Sequence, residues 1–321
     1  MRNHSYNYDI VIASPNSGID SYYVLDHLKL MDVNRARRTL HTAGGKGNNM
    51  ARALVNLGGR ALSLSIVGGF AGQFIASELD RETIAHDLVW TRHESRRLST
   101  LFVRGQQDTT VVLEPGQPVG PAAQNELMEC IVRHRTDAPY VVLIGSLPPD
   151  VPADFYAEAI RRLKDSDAKV GVDCAGEALK LAASAAPALI KVNRNEFWNV
   201  FGQADRSLDR DCVQRIYSRF HSQGLETLII TDGPRGAAVY SQQSEPFGVH
   251  TAVDAYVSTA GAGDTFIAGL LLALGRGDSI QDAACFASAA AAANIQQLGC
   301  GFLDRDQVPY FLTKTDIKRL N

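Results

Sequence analysis

Residues 258–266, STAGAGDTF, combine small side chains with one carboxylate, Asp264, just before a long apolar run. The run predicts a helix that begins near Asp264, and the first amides of a helix have no acceptors inside it. With the helix dipole they form an anion site, and Gly261, Ala262 and Gly263 leave room for a phosphate to reach it. Because a carboxylate repels a phosphate, Asp264 is better suited to be a general base than a binding group. A plain helix cap is the alternative.

A second glycine-rich stretch, TAGGKGNN (42–49), also has the composition of a binding loop. Gly44 and Gly45 let the backbone approach a ligand closely. Asn49 can donate and accept hydrogen bonds at a helix start, and Lys46 adds a positive charge. A surface turn with an exposed lysine is the alternative. Three glycines in four positions followed by two amides favour the binding loop.

Other common sites lack support in the sequence. The chain has no GxxxxGK[ST], GxGxxG or GxSxG motif, which argues against a Walker-type loop, a dinucleotide fingerprint and a serine hydrolase elbow. Its net charge of -3 gives no basic excess for nucleic acid. Five scattered cysteines without a CxxC pair favour reduced thiols over disulfides or zinc. We expect a cytoplasmic protein without a signal peptide or a membrane span.

The elements that would position these loops alternate along the chain. Short Val- and Ile-rich runs, typical of strands covered on both faces, are separated by helical patterns such as 48–59 and 152–165. This order predicts a three-layer α/β domain with a mostly parallel central sheet, spanning 1–321. Residues 16–42 and 95–118 are strand-like without intervening helices, so they predict a small β lid over that sheet. GQQD (105–108) is the predicted hairpin turn.

The two glycine-rich stretches together resemble the signatures of the ribokinase-like, or PfkB, carbohydrate kinases, and the resemblance covers nearly the whole chain. GSLPPDVPADFY (145–156) and IKVNRNEF (190–197) are similar to its sugar-phosphate branch, which contains 1-phosphofructokinase and tagatose-6-phosphate kinase. The resemblance implies a ribokinase-like fold, ATP and Mg²⁺ as cofactors, and transfer of the γ-phosphate to a hydroxyl of a ketohexose phosphate.

The resemblance also implies a role for each matching residue. Asp264 matches the catalytic base, and Gly261, Ala262 and Gly263 match the anion hole. Substrate contacts are implied for Asp20, Gly44, Gly45, Lys46, Asn49, Arg97 and Ser146, with Lys46 and Arg97 near the phosphate already on the acceptor. Nucleotide contacts are implied for Lys191, Asn193, Thr231, Gly233, Gly236 and Asn294, with Asn294 near the adenine. Glu196, in NRNE, matches a residue that helps hold Mg²⁺ through water.

Several departures from the family pattern lie around the expected acceptor pocket. Ser17 and Gly18 replace Pro and Ala, Asp150 replaces Gly, and Arg96 replaces Thr. Val192 stands where KPNxxE has its proline. A kinase of an unphosphorylated sugar or nucleoside therefore stays open, as does a non-catalytic sugar sensor. The exposed edges of the lid, and the way in which related kinases pair, further predict a homodimer through the lid.

Overall fold

The computed structural model describes residues 6–105, 109–202 and 210–320. Its strands are β1 (Ile10–Ser14), β2 (Gly18–Leu25), β3 (Arg38–Gly44), β4 (Ala61–Gly68), β5 (Ala85–Thr91), β6 (Arg96–Val103), β7 (Thr109–Leu113), β8 (Tyr140–Ile144), β9 (Lys169–Asp173), β10 (Leu189–Asn193), β11 (Thr227–Thr231), β12 (Ala237–Ser241), β13 (Ser244–Thr251) and β14 (Thr315–Arg319). Its α-helices are α1 (Lys46–Asn56), α2 (Gly69–Arg81), α3 (Gly120–Arg133), α4 (Phe155–Leu163), α5 (Gly176–Ser184), α6 (Arg194–Phe201), α7 (Arg210–His221), α8 (Ala262–Gly275), α9 (Ile280–Asn294) and α10 (Val308–Leu312).

The apolar runs form one large sheet, as the sequence predicts. Its strand order is β14-β13-β12-β11-β10-β9-β8-β1-β4-β5. The seven strands from β11 to β5 are parallel, and β12, β13 and β14 extend one side with antiparallel pairing. The carboxyl ends of the parallel strands therefore meet at one edge, where ligands bind in open α/β sheets.

Helices cover both faces of this sheet. Along β1, Val11 and Ala13 pack into a core with α3 to α7, whereas Ile10 and Ile12 pack into a second core with α1, α2, α8, α9 and α10. Because strand side chains alternate between faces, one continuous apolar run supplies both cores. The three-layer α/β prediction is confirmed.

The lid is a separate four-stranded sheet with the order β3-β2-β6-β7. It is assembled from the two segments without helices, and β6 and β7 pair as an antiparallel hairpin. The predicted GQQD turn between them lies largely outside the described residues. Within the described part of the chain, no helix is long and apolar enough to cross a membrane.

Candidate active site

The turn before α8 is shaped by close neighbours. Gly261 caps the helix with a φ of 78°, and a side chain there would approach the Cα atom of Cys300 to 2.6 Å. A Cβ atom on Gly263 would lie 2.7 Å from the Nζ atom of Lys191. The small residues thus provide space for protein neighbours as well as for a ligand. The helix starts at Ala262, so its first turn lies where the sequence predicts an anion site.

Asp264 lies in the first turn of α8 and is buried. Burial raises its pKa to about 7, an effect that nearby Asp173 strengthens and that Lys46 and Lys191 oppose. The Asn49 amide donates a hydrogen bond from Nδ2 to Oδ2 of Asp264 at 3.3 Å. A carboxylate that titrates near neutral pH is suited to accept a proton during turnover.

Two lysines share one fully buried carboxylate at the carboxyl end of β9. Lys46 and Lys191 reach Asp173 with their Nζ atoms at 2.7 and 2.8 Å, and Lys46 also lies 3.4 Å from Glu196. Although burial by itself would raise it, the two lysines hold the pKa of Asp173 below its usual value. Sequence reasoning did not identify Asp173, even though an acid that ends a buried strand is a recognisable signal.

A cavity of about 600 Å³, here called the lid cavity, opens between the lid and the large sheet. Among the predicted substrate residues, its lining includes Asp20, Gly45, Lys46, Asn49 and Ser146, and it also contains Glu196. Gly44 does not line it, but a Cβ atom there would overlap Asp20 at 2.4 Å. The two glycine-rich stretches are therefore brought together with the lid at one place.

Asp20 is carried by the lid strand β2. The Tyr22 hydroxyl donates to Oδ2 of Asp20 at 3.2 Å and accepts a hydrogen bond from the amide of Cys300 at 3.0 Å. Burial raises the pKa of Asp20, although Arg52 and Tyr22 act to lower it. Tyr22 thus connects the lid to the segment beside the α8 turn, a link that sequence reasoning missed.

The two arginines at the start of β6 lie on opposite faces of the lid. Arg96 lines the lid cavity with Leu98, which follows at the two-residue period of a strand, while Arg97 is exposed on the other face. Arg96 donates from Nε to the carbonyl of Asn16 at 3.1 Å. Within this chain the structure therefore brings Arg96, and not the predicted Arg97, to the cavity.

A buried polar network holds the first glycine-rich loop. Ser17 donates to Ser65 at 2.9 Å, and Ser63 donates to the side chain of Asn48 at 2.9 Å. Asn48 in turn donates to Ser17 at 3.3 Å and to the carbonyl of Gly44 at 3.0 Å. Serine in place of the family's proline at position 17 thus has a structural partner in β4.

The carboxyl ends of β10 and β11 border a shallower cavity of about 320 Å³, here called the outer cavity. Of the predicted nucleotide residues, Asn193, Thr231 and Gly233 line it. Gly236 closes the turn that follows, where its φ is 87° and a side chain would overlap the carbonyl of Val249. The predicted adenine contact, Asn294, is instead fully buried.

The Asn294 side chain is held by internal hydrogen bonds. It accepts from Thr265 at 3.1 Å and donates to the carbonyls of Gly299 and Phe302 at 3.2 and 2.9 Å. Because a neutral amide has only two N–H donors, neither remains for an adenine. The structure therefore places Asn294 as a link between α8 and the segment after α9, away from both cavities.

Glu196 and Asn193 form a capping box at the start of α6. The Glu196 amide donates to Asn193 Oδ1 at 2.8 Å, and the Asn193 amide donates to Glu196 Oε2 at 2.9 Å. Each Glu196 oxygen keeps a lone pair that could accept from metal-bound water. No group of three or more acidic, His or Cys side chains in the described ranges could form an all-protein metal cage. These residues fit Mg²⁺ held largely by water and phosphate oxygens.

Known carbohydrate kinases are similar to this chain in sequence and in fold. The model of the pfkB family carbohydrate kinases matches residues 16–306. Phosphofructokinase-2 from Escherichia coli, in complex with substrates and products, is 24% identical with a TM-score of 0.87, over 95% of this chain and 98% of that chain. A putative phosphofructokinase from Staphylococcus aureus is 25% identical with a TM-score of 0.79, over 96% and 98%. A possible 1-phosphofructokinase from Thermotoga maritima is 18% identical with a TM-score of 0.87, over 98% and 100%.

The family model spans most of the chain and includes both glycine-rich stretches. The predicted ribokinase-like fold, with its small second sheet, is confirmed by these structural neighbours. A sugar kinase is a phosphotransferase with an alcohol acceptor, as the sequence also predicts. The protein belongs to the pfkB family of carbohydrate kinases.

Proposed function

We propose that this kinase transfers the γ-phosphate of ATP to a hydroxyl of a ketohexose phosphate, as a 1-phosphofructokinase or tagatose-6-phosphate kinase does. The observation that carries the proposal is Asp264, whose pKa is about 7 at the start of α8, beside cavity-lining Asn49. The lid cavity binds the acceptor, and the outer cavity binds the nucleotide.

The reaction follows from this arrangement. Asp264 takes the proton of the acceptor hydroxyl while the oxygen of that hydroxyl forms a bond to the γ-phosphorus. The bond from the γ-phosphorus to the leaving ADP breaks. The amides of Ala262 and Gly263 stabilise the transferred phosphoryl group, and Lys191 adds a positive charge beside Gly263. Phosphoryl transfer depends mainly on such positioning and charge stabilisation.

On the nucleotide side, Asn193, Thr231 and Gly233 line the outer cavity, and Gly236 shapes its last turn. Glu196 would hold Mg²⁺ through water. When bound, Mg²⁺ would neutralise part of the charge of the transferring phosphates. Glu196 also fixes Lys46 at 3.4 Å, so a single carboxylate orients a cation beside the acceptor and faces the metal site.

The proposal that the acceptor carries a phosphate is supported by Arg96 and Lys46, which both line the lid cavity. A guanidinium pairs well with a phosphate, because its planar donors match the phosphate oxygens. We assign the phosphate contact to Arg96, since Arg97 lies on the other face of the lid. Asp20 would accept hydrogen bonds from sugar hydroxyls.

A specific observation favours a second candidate, a kinase of an unphosphorylated sugar or nucleoside. Part of the lining of the lid cavity is apolar and consists of Leu98, Val111, Leu113, Leu147 and Val151. Such a wall suits an uncharged group better than a phosphate, which needs polar partners.

ADP release measured with fructose 1-phosphate, fructose 6-phosphate, tagatose 6-phosphate, free sugars and nucleosides separates the two candidates. We expect kcat/KM for one sugar phosphate to exceed that for any neutral acceptor by about 100-fold, the scale of one or two charge-assisted hydrogen bonds. A neutral sugar or nucleoside as the best acceptor would establish the second candidate. No turnover with any acceptor would contradict both.

We also propose a homodimer that forms through the lid. β7 is an edge strand of the lid, and Val111, Val112 and Leu113 are each at least half exposed. An apolar edge strand invites pairing with another chain. One related structure, phosphofructokinase-2 from Escherichia coli, is described as a tetrameric inhibited form. Light scattering that detects only monomer at micromolar concentration would contradict the dimer. A cytoplasmic location stays a prediction.

A further inference from the structure

Arg52, in α1, is a buried cation to which the proposed mechanism gives no role. Its side chain is only 2% exposed. Nε donates to Glu82 at 2.7 Å, Nη1 donates to the carbonyl of Cys300 at 3.0 Å, and Nη2 donates to the carbonyl of Ala43 at 2.6 Å. The guanidinium also lies over the ring of Phe302, 4.7 Å from its centroid. A buried charge requires such partners, but they do not explain why this position is charged.

The remaining contact of Arg52 points toward the reaction centre. Its Nη1 atom also donates to Oδ1 of Asn49 at 3.2 Å, one helical turn earlier in α1. A guanidinium has donors only, so the Asn49 amide must present its oxygen to Arg52. Its nitrogen then faces the opposite way, where Nδ2 donates to Asp264 Oδ2. A flipped amide would place its oxygen against the carboxylate and leave the Asp264 oxygen without this donor.

We propose that Arg52 is a positioning residue, which fixes the orientation of the Asn49 amide so that Asn49 always donates to Asp264. The inference rests on the proposed function, in which Asp264 is the base. Arg52 itself touches no reacting atom. Arg52 contacts β3, α1, the C-cap of α2 and the Cys300 segment. The hydrogen bond from Asn49 to Asp264 therefore depends on four parts of the chain that meet at one guanidinium.

Other charged groups near Asp264 define what the test must hold constant. Lys46 and Lys191 lower its pKa and Asp173 raises it. Arg52→Lys keeps the positive charge, so it leaves the local charge balance unchanged. One ammonium group, attracted to Glu82, cannot also hold Asn49 and Ala43 in their present places. The variant therefore removes the orientation and keeps the charge.

The experiment follows the titration of the Asp264 carboxyl by ¹³C NMR, assigned with Asp264→Asn. In Arg52→Lys we expect the midpoint to rise by about half a pH unit or more, because a carboxylate that loses a donor is more easily protonated. The acid limb of the kcat/KM profile should shift to higher pH together with this midpoint. At high pH the kcat/KM values of the variant and of the wild type should converge. The matched control is Arg60→Lys, at an exposed arginine paired with Asp9, which should change neither quantity.

A double-mutant cycle tests the route of the effect. In an Asn49→Ala background, Arg52→Lys should cause no further shift of the Asp264 midpoint. An unchanged midpoint in Arg52→Lys, or a shift that persists without the Asn49 amide, overturns the proposal. If Arg52→Lys does not fold, Glu82→Asp decides: by shortening the anchor of Arg52 without changing the local charge it should raise the midpoint, and no shift would refute the idea.

The two readouts separate this inference from the proposed function. The NMR midpoint reports the geometry around Asp264 whether or not the protein turns over any acceptor. A midpoint that responds as expected without detectable kinase activity would retain the role of Arg52 in orienting Asn49 and reject the proposed reaction. Kinase activity with an unresponsive midpoint would do the reverse.

Discussion

The lid cavity and the outer cavity are formed by different kinds of structure. The lid cavity is lined by side chains from both sheets, and Asp20, Asn49 and Cys300 in its lining are buried. The outer cavity is about half as large and is bordered by strand ends and a turn at Gly233. The lid side therefore depends on contacts among many distant segments, whereas the outer side is formed by two short segments that follow the neighbouring strands β10 and β11. Substitutions should perturb the chemistry and the choice of acceptor more easily than the binding of nucleotide.

The strongest test of this difference is Asp264→Asn. The amide is nearly isosteric but cannot take the proton, so kcat should fall by roughly 10²–10⁴-fold. Nucleotide affinity, measured by calorimetry, should stay within about threefold of the wild-type value, because the outer cavity is untouched. Near-wild-type turnover would remove Asp264 from the role of base.

A neighbouring pair of arginines gives the next largest effect. Arg96→Gln should raise KM for a sugar phosphate by about 10–100-fold, the value of a charge-assisted hydrogen bond, with KM for ATP unchanged. Arg97→Gln, one position along β6 and on the other face, is the matched control, and its KM should change less than about twofold. The opposite ranking would restore Arg97 as the phosphate contact.

The pH dependence of kcat/KM should also be determined on the lid side, by Asp264. Since Asp264 has a pKa of about 7 and acts only when ionised, kcat/KM should fall as the pH decreases through 7. One unit below this value, about a tenth of the base is ionised, so activity should be near a tenth of its plateau. A profile that stays flat down to pH 5 would contradict the assignment.

The same pKa shift predicts a smaller effect on stability. Because the folded state raises the pKa of Asp264 above 3.8, it binds a proton that the unfolded chain releases, and stability is lost as the pH rises through 7. Asp264→Asn removes this term and should stabilise the protein at pH 8 by on the order of 1–3 kcal/mol, with little change at pH 4. Urea denaturation at both pH values measures it. Equal stability at pH 8 would mean that the carboxylate is better solvated than its burial indicates.

Local patterns predicted much of the fold. All the parallel strands except β5, and α8 as well, follow from apolar runs with clear ends. Ser279 caps α9 by accepting from the Asp282 amide, as its spacing indicates. β5 (Ala85–Thr91) was not predicted, because it is only partly buried and His86 and Asp87 interrupt its apolar residues. β14 (Thr315–Arg319) was missed for a similar reason, since its mostly exposed residues give no apolar signal.

The site was predicted less completely, because its contacts join distant positions. Lys46 and Asp173 are 127 residues apart, and no local pattern indicates that they pair. The resemblance pointed to Arg97, whereas Arg96 lines the cavity, and a shift of one residue in a strand exchanges its two faces. Asp150, which departs from the family pattern, is a further example: its carboxylate accepts from the amides of Val119 and Gly120, 31 and 30 residues earlier, at the start of α3.

The shared carboxylate of Asp173 has a consequence for how phosphate enters. Lys46 and Lys191 already have an anionic partner in this carboxylate, which holds both ammonium groups in place. An arriving phosphate would exchange with that partner rather than recruit mobile surface cations.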